Sequence, residues 1–252
     1  DAEKVLQRYP FVDLVMVGEG ENTFREYAAF LLGEGAEKRS DIAGLCYRKE
    51  DGKAVFTAPR MPMKMDDLVF PYRDLEQMET RIYYESSRGC PFSCSYCLSS
   101  IDKCLRFRNL SLVKKELQFF LDHKVLQVKF VDRTFNCNHK HAYKIWEYIK
   151  EHDNGVTNFH FEIGGDLLRE EDFELFRGFR PGLIQFEIGV QSTNLFTIEA
   201  IRRKMDLTEL AEHVERVRSG GNIHQHLDLI AGLPEEDGEM FLRTVEQVRS
   251  LE

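Results

Sequence analysis

From Arg81 onward, the chain repeats a short apolar run followed by a longer segment with apolar residues at every third or fourth position. The short runs predict strands, and the longer segments predict helices. The predicted strands cover residues 81–85, 126–132, 158–163, 183–190 and 223–231. The predicted helices cover residues 111–123, 138–152, 169–179, 195–201, 207–219 and 236–251. This alternation predicts an α/β fold in which about five βα units form a parallel, barrel-like sheet through right-handed crossovers.

The first part of the chain has a different pattern. The apolar run at residues 11–17 predicts a buried strand of a parallel sheet, and residues 24–32 predict an amphipathic helix. Two further apolar runs flank Asp51-Gly52, which is typical of a β-hairpin turn. Cys46 lies in the first of these runs and is expected to be a small core residue.

Three prolines follow the hairpin and predict a linker over the surface. We therefore expect one domain over residues 1–45, a hairpin and linker over 46–80, and the barrel over 81–252. The chain begins with Asp1 and ends after the fifth strand and its helix, so we expect it to be part of a longer protein whose barrel continues to a sixth strand.

Composition limits the possible functions. The net charge is −9, with 34 Lys and Arg against 43 Asp and Glu, which disfavours binding along a nucleic-acid backbone. No apolar run approaches the length of a membrane span, and no signal segment opens the chain. We therefore expect a cytoplasmic protein with reduced cysteines and no membrane or nucleic-acid partner.

The strongest chemical signal is a C-x3-C-x2-C motif formed by Cys90, Cys94 and Cys97, directly after the strand predicted at 81–85. Three thiolates on one loop can hold three irons of a [4Fe–4S] cluster, which leaves the fourth iron open to a substrate. Cys104 is also close in sequence, so a structural zinc site with four cysteines is the alternative. Zinc sites usually pair their cysteines as two C-x2-C units, and only one such pair occurs on this loop.

The cysteine motif resembles that of the radical S-adenosylmethionine (SAM) superfamily. The resemblance implies that the open iron binds the amino and carboxylate groups of SAM, and that one electron splits the sulfonium to give a 5′-deoxyadenosyl radical. It also implies an external electron donor such as flavodoxin or ferredoxin. Residues 18–21, Gly-Glu-Gly-Glu, resemble the end of the cobalamin-binding domain that precedes many such barrels.

The D-x-H-x-x-G motif that ligates cobalt in that family is absent from this sequence. We therefore expect no cobalamin binding by this chain itself, although a longer protein that contains it could bind cobalamin.

Polar residues at the ends of the predicted strands are candidates for the active site, because barrels of this kind place their sites there. These residues include Asp132, Glu162 and Glu187. Carboxylates pointing into a barrel need partners, and helix capping or interior ion pairs would also supply them. Period-two alternation places His224 and His226 on the same face as Asp228, either as substrate contacts or as ordinary barrel histidines.

The family resemblance implies roles for several of these positions. Two positions correspond to residues that contact ribose: Glu187 and Gln191, the latter in the stretch Gly-Val-Gln-Ser. Arg203 corresponds to the arginine near the SAM carboxylate, and Arg202 is adjacent to it. Four positions correspond to residues that pack on adenine: Tyr96, and Ile230, Gly232 and Leu233 in a motif of the form I-x-G-x-x-E. The G-G-E motif that usually binds the SAM amino group is absent from the sequence. We assign Asp132 to the amino group in its place, and Glu162 as a further contact to the cofactor.

These features predict a radical SAM enzyme acting on a small organic substrate. The resemblance is to the cobalamin-linked class that includes the anaerobic magnesium-protoporphyrin monomethyl ester oxidative cyclase and various methyltransferases. One alternative is a methylthiotransferase-like radical SAM enzyme that acts on tRNA or protein. Another is a non-enzymatic barrel stabilised by zinc, and the bound metal would separate it from the first two.

Overall fold

The computed structural model describes residues 1–72, 81–101 and 103–251. The chain divides into two compact units, Asp1–Asp67 and Leu68–Glu252. In the part of the chain that the structure describes, no helix combines the length and apolar composition that crossing a membrane requires.

The first unit is a small antiparallel sheet with two helices. It contains, in chain order, α1 (Ala2–Arg8), β1 (Leu14–Met16), α2 (Glu21–Leu31), β2 (Leu45–Arg48) and β3 (Ala54–Phe56). The strand order is β1-β2-β3, and both pairings are antiparallel. The hairpin and the helix predicted from the sequence are both present, and Cys46 is fully buried as expected.

Two expectations for this unit are wrong. The strand β1 was expected in a parallel sheet, but it pairs antiparallel with β2, with Val15 opposite Cys46. Apolar composition alone does not reveal strand direction, which depends on the partner that returns alongside. The same pairing places the expected domain boundary after residue 45 inside one sheet, because the hairpin and β1 share a hydrogen-bonded ladder. Part of the predicted linker, residues 73–80, lies outside the described residues.

The second unit is built on a parallel sheet. Its first elements are β4 (Arg81–Tyr84), β5 (Ser87–Arg88), β6 (Arg106–Phe107), α3 (Leu110–Asp122), β7 (Gln127–Phe130) and α4 (His139–Glu151). The chain continues through β8 (Asn158–Ile163), α5 (Glu170–Phe176), β9 (Ile184–Gln191), α6 (Leu195–Ala200), α7 (Leu207–Gly220), β10 (His224–Leu229) and α8 (Gly238–Arg249). The sheet order is β10-β9-β8-β7-β4, with every neighbouring pair parallel. The predicted series of five βα units is confirmed.

Residues alternate along these strands between an apolar face and a polar face. Val128, Phe161 and Phe186 are fully buried on the apolar face, where they belong to a cluster with Trp146 of α4. Burying such side chains contributes about 1.5–3 kcal/mol each, so this face fixes the sheet against its helices. The opposite face carries Lys129, Glu162, Glu187 and other polar residues, which makes it available for chemistry.

Two histidines of α4 are largely withdrawn from solvent. His141 of α4 is only 6% exposed and packs against Phe107, and burial lowers its pKa to about 4. His139 lies with its two ring nitrogens 3.2 Å from Glu171 Oε1 and 2.9 Å from Asp172 Oδ1. The two residues are two positions apart and therefore point about 200° away from each other. His141 packs toward the base of the cysteine loop, and His139 contacts α5.

A buried ion pair joins β4, the segment before α3 and α3 itself. Arg108 Nη2 lies 2.6 Å from Glu116 Oε1, and the hydroxyl of Tyr84 donates to Glu116 Oε2 at 2.6 Å. The backbone N–H of Arg108 also donates to the carbonyl of Ser86 at 2.8 Å. This network fixes the segment that enters and leaves the cysteine loop.

We predict that Glu116→Gln lowers the free energy of unfolding by about 3 kcal/mol, because it replaces the buried carboxylate that pairs with the guanidinium of Arg108 by a neutral amide. Glu147→Gln, which breaks the exposed pair with Lys144, is the matched control and should stay within the error of the measurement. Urea unfolding of the full chain followed by circular dichroism checks both. Equal changes in the free energy of unfolding for the two variants would contradict a stabilising role for the buried pair of Arg108 and Glu116.

Candidate functional site

The cysteine loop, residues 89–105, is closed at its base by a two-stranded antiparallel ladder. Ser87 of β5 pairs with Phe107 of β6, and Arg88 pairs with Arg106. Gly89 follows with a φ of 96°, and a Cβ there would lie 2.6 Å from the carbonyl oxygen of Cys104. Only glycine tolerates this conformation and this close approach, so the ladder and Gly89 together define how the loop starts.

The three motif cysteines are free thiols on this loop. Cys90 and Cys94 are buried, Cys97 is partly exposed, and the N–H of Cys97 donates to the carbonyl of Cys94 at 3.2 Å. Cys104 is exposed. Burial raises the pKa of Cys137 to about 11, with a smaller contribution from Cys90, so Cys137 lies within electrostatic reach of the loop.

The donor set of three thiols on one short loop fits an iron–sulfur cluster. Among residues 1–72, 81–101 and 103–251, no three His, Cys, Asp or Glu side chains converge closely enough to bind one ion. A [4Fe–4S] cluster binds each thiolate through a different iron and accepts more widely separated sulfurs.

A cavity opens beside the loop at the carboxyl ends of β8, β9 and β10. It brings together residues that the sequence analysis singled out separately: Cys94, Glu162, Glu187, Gln191 and Arg203. Arg202, the alternative to Arg203, is exposed outside the lining, with a φ of 55° that turns the chain after α6. The turn explains why the second of the two arginines enters the cavity.

A β-bulge determines how the cavity side chains point. Asp228 pairs with Gly189, but the next residue, Leu229, pairs with Gln191, so Val190 is the extra residue in β9. Gln191 has a φ of 69°, which is uncommon for a residue with a side chain. Strain of this kind is often found at functional sites.

Two buried polar atoms at this bulge have no hydrogen-bond partner in the described part of the chain: Oε1 of Gln191 and Nε of Arg203. The other guanidinium nitrogens of Arg203 are bound, Nη2 to the carbonyl of Gly189 and Nη1 to the hydroxyl of Tyr96 at 3.3 Å. A buried acceptor and a buried donor without partners are costly, so the cavity is suited to a polar ligand that satisfies both.

A charged network on the polar face of the sheet adjoins the cavity through Glu162 and Glu187. Lys129 Nζ lies 2.8 Å from Glu187 Oε2 and 3.7 Å from Glu162 Oε1. Burial raises the pKa of Glu162, and the charge of Glu187 adds to the shift. Burial and then Glu187 likewise raise the pKa of Asp228. Burial also acts to raise the pKa of Glu187, but the hydrogen bond and charge of Lys129 outweigh it, and the net pKa is lowered.

An apolar cluster lies at the other side of the loop. Ile198, Ile201 and Leu233 are buried together, and Ile230 packs against them. The N–H of Ser95 donates to the carbonyl of Ile201 at 2.9 Å, which holds Tyr96 close to this cluster. Gly232 has a φ of 82°, with open space around the position of a Cβ. The predicted adenine-binding residues are therefore grouped on neighbouring segments.

Among the three predicted carboxylates, Asp132 is the one that does not line the cavity. Its carboxylate is 1% exposed and accepts hydrogen bonds from the N–H of Ser86 at 2.9 Å and the hydroxyl of Ser86 at 2.7 Å, with Ser87 as a third donor. Burial raises its pKa to about 6. Asp132 has the same parity as Phe130 and Val128, so it follows the apolar face and supports the base of the cysteine loop instead.

Sequence reasoning also missed cavity residues. Asp228 lines the cavity beside Glu187, and its shared face with the histidines of β10 was the available signal. Arg133 and Lys204 add positive charge to the lining. Gly189 matters because a Cβ there would collide with the amide of Gln191 and lie 3.4 Å from Arg203 Nη2.

A parallel βα sheet with a three-cysteine loop at the carboxyl ends of its strands defines a radical SAM core. The family profile of the radical SAM superfamily matches residues 84–248, and the chain belongs to this superfamily. An uncharacterized methyltransferase of Pyrococcus horikoshii is 27% identical over 272 residues, which cover 99% of this chain and 55% of the relative.

The anaerobic magnesium-protoporphyrin IX monomethyl ester cyclase of Rubrivivax gelatinosus is 24% identical, over 98% of this chain and 46% of the cyclase. The chain thus spans about half the length of these curated relatives. Among solved structures, the radical SAM methyltransferase TsrM of Kitasatospora setae has a TM-score of 0.79 at 19% identity, covering 98% of this chain and 51% of TsrM. This structural likeness supports the fold.

We predict that Gly189→Ala weakens SAM binding by about tenfold, or about 1.4 kcal/mol, because the new methyl group displaces the amide of Gln191. The thermal midpoint should change little, since the amide is a flexible side-chain end. Gly238→Ala is the control, because nothing lies within 4 Å of its Cβ position. Anaerobic equilibrium dialysis with labelled SAM measures the affinities, and unchanged binding by Gly189→Ala would contradict the placement of Gln191.

Proposed function

We propose that this chain is the part of an enzyme that binds a [4Fe–4S] cluster and SAM and cleaves SAM reductively. The cleavage then serves a reaction on a small organic substrate. The observation that carries the proposal is the cavity in which Cys94 lies with the unpartnered Oε1 of Gln191 and Nε of Arg203. The transformation we favour is methyl transfer or oxidative cyclisation, in view of the relatives. Cobalamin would then belong to a longer protein containing this chain.

In this proposal Cys90, Cys94 and Cys97 hold the cluster. A bound [4Fe–4S] cluster supplies one electron, received from a donor such as flavodoxin or ferredoxin, to the sulfonium of SAM. The loop is suited to that role because Cys90 and Cys94 are shielded from solvent. Its closed base and the backbone bond from Ser95 to Ile201 keep the thiols beside the cavity.

Arg203 positions the amino-acid end of SAM. Its guanidinium is already oriented by Gly189 and Tyr96, and its free Nε points a donor at an incoming carboxylate. A charge-assisted bond of this kind is short and directional. Glu162, which contacts Lys129 only at 3.7 Å, is the carboxylate we assign to the ammonium group in place of Asp132.

The nucleoside end of SAM lies along β9 and the segment after β10. Gln191 and Glu187 supply oxygens for the ribose hydroxyls, and Oε1 of Gln191 is the acceptor without a partner. Leu233, Ile230 and Tyr96 provide apolar surface for adenine, with Gly232 leaving its face open. This arrangement orients the sulfonium toward the cysteine loop and separates it from bulk water.

We predict that the reconstituted protein, given dithionite and SAM under anaerobic conditions, forms 5′-deoxyadenosine and that Arg203→Ala raises the KM for SAM about tenfold to a hundredfold. The reason is the loss of a hydrogen bond to a charged group, worth about 1.5–3 kcal/mol. Arg202→Ala, at the exposed neighbouring position, is the matched control. Chromatography of the products with time gives kcat and KM.

Cys94→Ala should retain the fold and form no 5′-deoxyadenosine. Metal analysis of the same samples separates the alternatives, because a zinc-stabilised barrel would contain zinc without acid-labile sulfide. Wild-type protein that holds a cluster but leaves SAM intact, or that takes up zinc alone, would overturn the proposed function.

A further inference from the structure

We propose that His224 and His226 form a binding site for a divalent first-row transition-metal ion, separate from the cysteine loop. The two residues lie two positions apart on β10, so period-two alternation puts both side chains on the polar face of the sheet. Both are exposed, and their Nε2 atoms are 3.1 Å apart, with ring centroids 4.5 Å apart and planes at 81°. We call them the histidine pair.

The distance between the Nε2 atoms suits two ligands of one ion. With metal–nitrogen bonds of about 2.0–2.1 Å, a separation of 3.1 Å corresponds to an angle of about 100° at the metal. That angle lies between those of octahedral and tetrahedral coordination. Imidazole nitrogen is a preferred ligand of zinc, copper, iron and nickel.

Two carboxylates lie beside the histidine pair, and one of them, Glu187, is also paired with Lys129. Glu187 is directly opposite His226 in the ladder, and Asp228 is the next residue on the same face. Carboxylates around metal-binding histidines orient the rings and raise their basicity. His160 is a third imidazole nearby, but its ring centroid is 6.5 Å from that of His226.

The proposed site is open rather than closed. In the described part of the chain no third His, Cys, Asp or Glu completes it, so solvent or an oxygen-donor ligand would fill the remaining positions. The pair lines a groove that shares Asp228 with the cavity beside the cysteine loop. A metal-bound ligand would therefore lie next to the place where we propose SAM binds, and the functional value of the site rests on that proposed function.

Anaerobic calorimetry with NiCl2 tests the site in the reconstituted full chain, whose motif cysteines are occupied by the cluster. We expect one saturable Ni²⁺ site in wild type, weakened about tenfold or more in His224→Ala and in His226→Ala. His152→Ala is the control, since His152 is exposed but its Nδ1 is bound to the carbonyl of Tyr148. The proposal would be overturned if Ni²⁺ binding were weakened in the control as well as in the pair variants, or if it were unchanged in both pair variants.

Nickel K-edge X-ray absorption of the wild-type complex gives a second readout that does not depend on how the variants fold. Two imidazole scatterers support the histidine pair, whereas one, none, or a sulfur shell overturns it. Neither measurement involves SAM. Failure of nickel binding with intact SAM cleavage removes only this site, and nickel binding without SAM cleavage removes only the proposed function.

Discussion

The β-bulge in β9 is the constraint on which the cavity depends. Without the extra residue at Val190, strict alternation would continue and the side chain of Gln191 would have a different relation to Gly189 and Arg203. The left-handed conformation of Gln191 costs about 1–3 kcal/mol, and neighbouring structure has to hold it. The backbone bond from Ile230 to the carbonyl of Gln191, at 3.0 Å, and the contact of Arg203 with Gly189 do so. Backbone strain thus fixes an acceptor and a donor at the edge of the sheet.

The distribution of charge follows from the two faces of the sheet. The apolar face is fully used in packing against the helices, so the ionisable residues of the strands collect on the other face. There Lys129 is shared by Glu162 and Glu187, and Glu187 in turn affects Asp228. Carboxylates with raised pKa values lie beside an arginine with a free donor, which is a setting for a ligand that carries charges of both signs. SAM has that character, with a carboxylate, an ammonium group and a sulfonium.

The parallel sheet and the cysteine loop could be predicted from the sequence because both depend on local signals. Hydrophobic periodicity marks each strand of the parallel sheet and each helix of the second unit, but not the short strands β5 and β6. The spacing of Cys90, Cys94 and Cys97 lies within one loop. The direction of β1 could not be predicted, since it depends on a partner about thirty residues away in the chain.

The positions of some individual site residues could not be predicted, because they depend on contacts between distant parts of the chain. Asp132 was assigned to the cavity from its place after a strand, but its parity with Phe130 turns it toward Ser86 and Ser87. The choice between Arg202 and Arg203 depends on the turn after α6, and the role of Gly189 depends on a bulge. The assignments of individual residues to SAM, and the identity of the first unit as the end of a cobalamin-binding domain, stay predictions.

Electron paramagnetic resonance of the anaerobically reconstituted and reduced protein, recorded with and without SAM, tests whether the cluster has an open iron that binds SAM. We expect a [4Fe–4S] signal whose shape changes when SAM is added and which is absent from Cys94→Ala. A cluster signal that is identical with and without SAM would contradict the claim that an open iron and the cavity beside Cys94 bind SAM together.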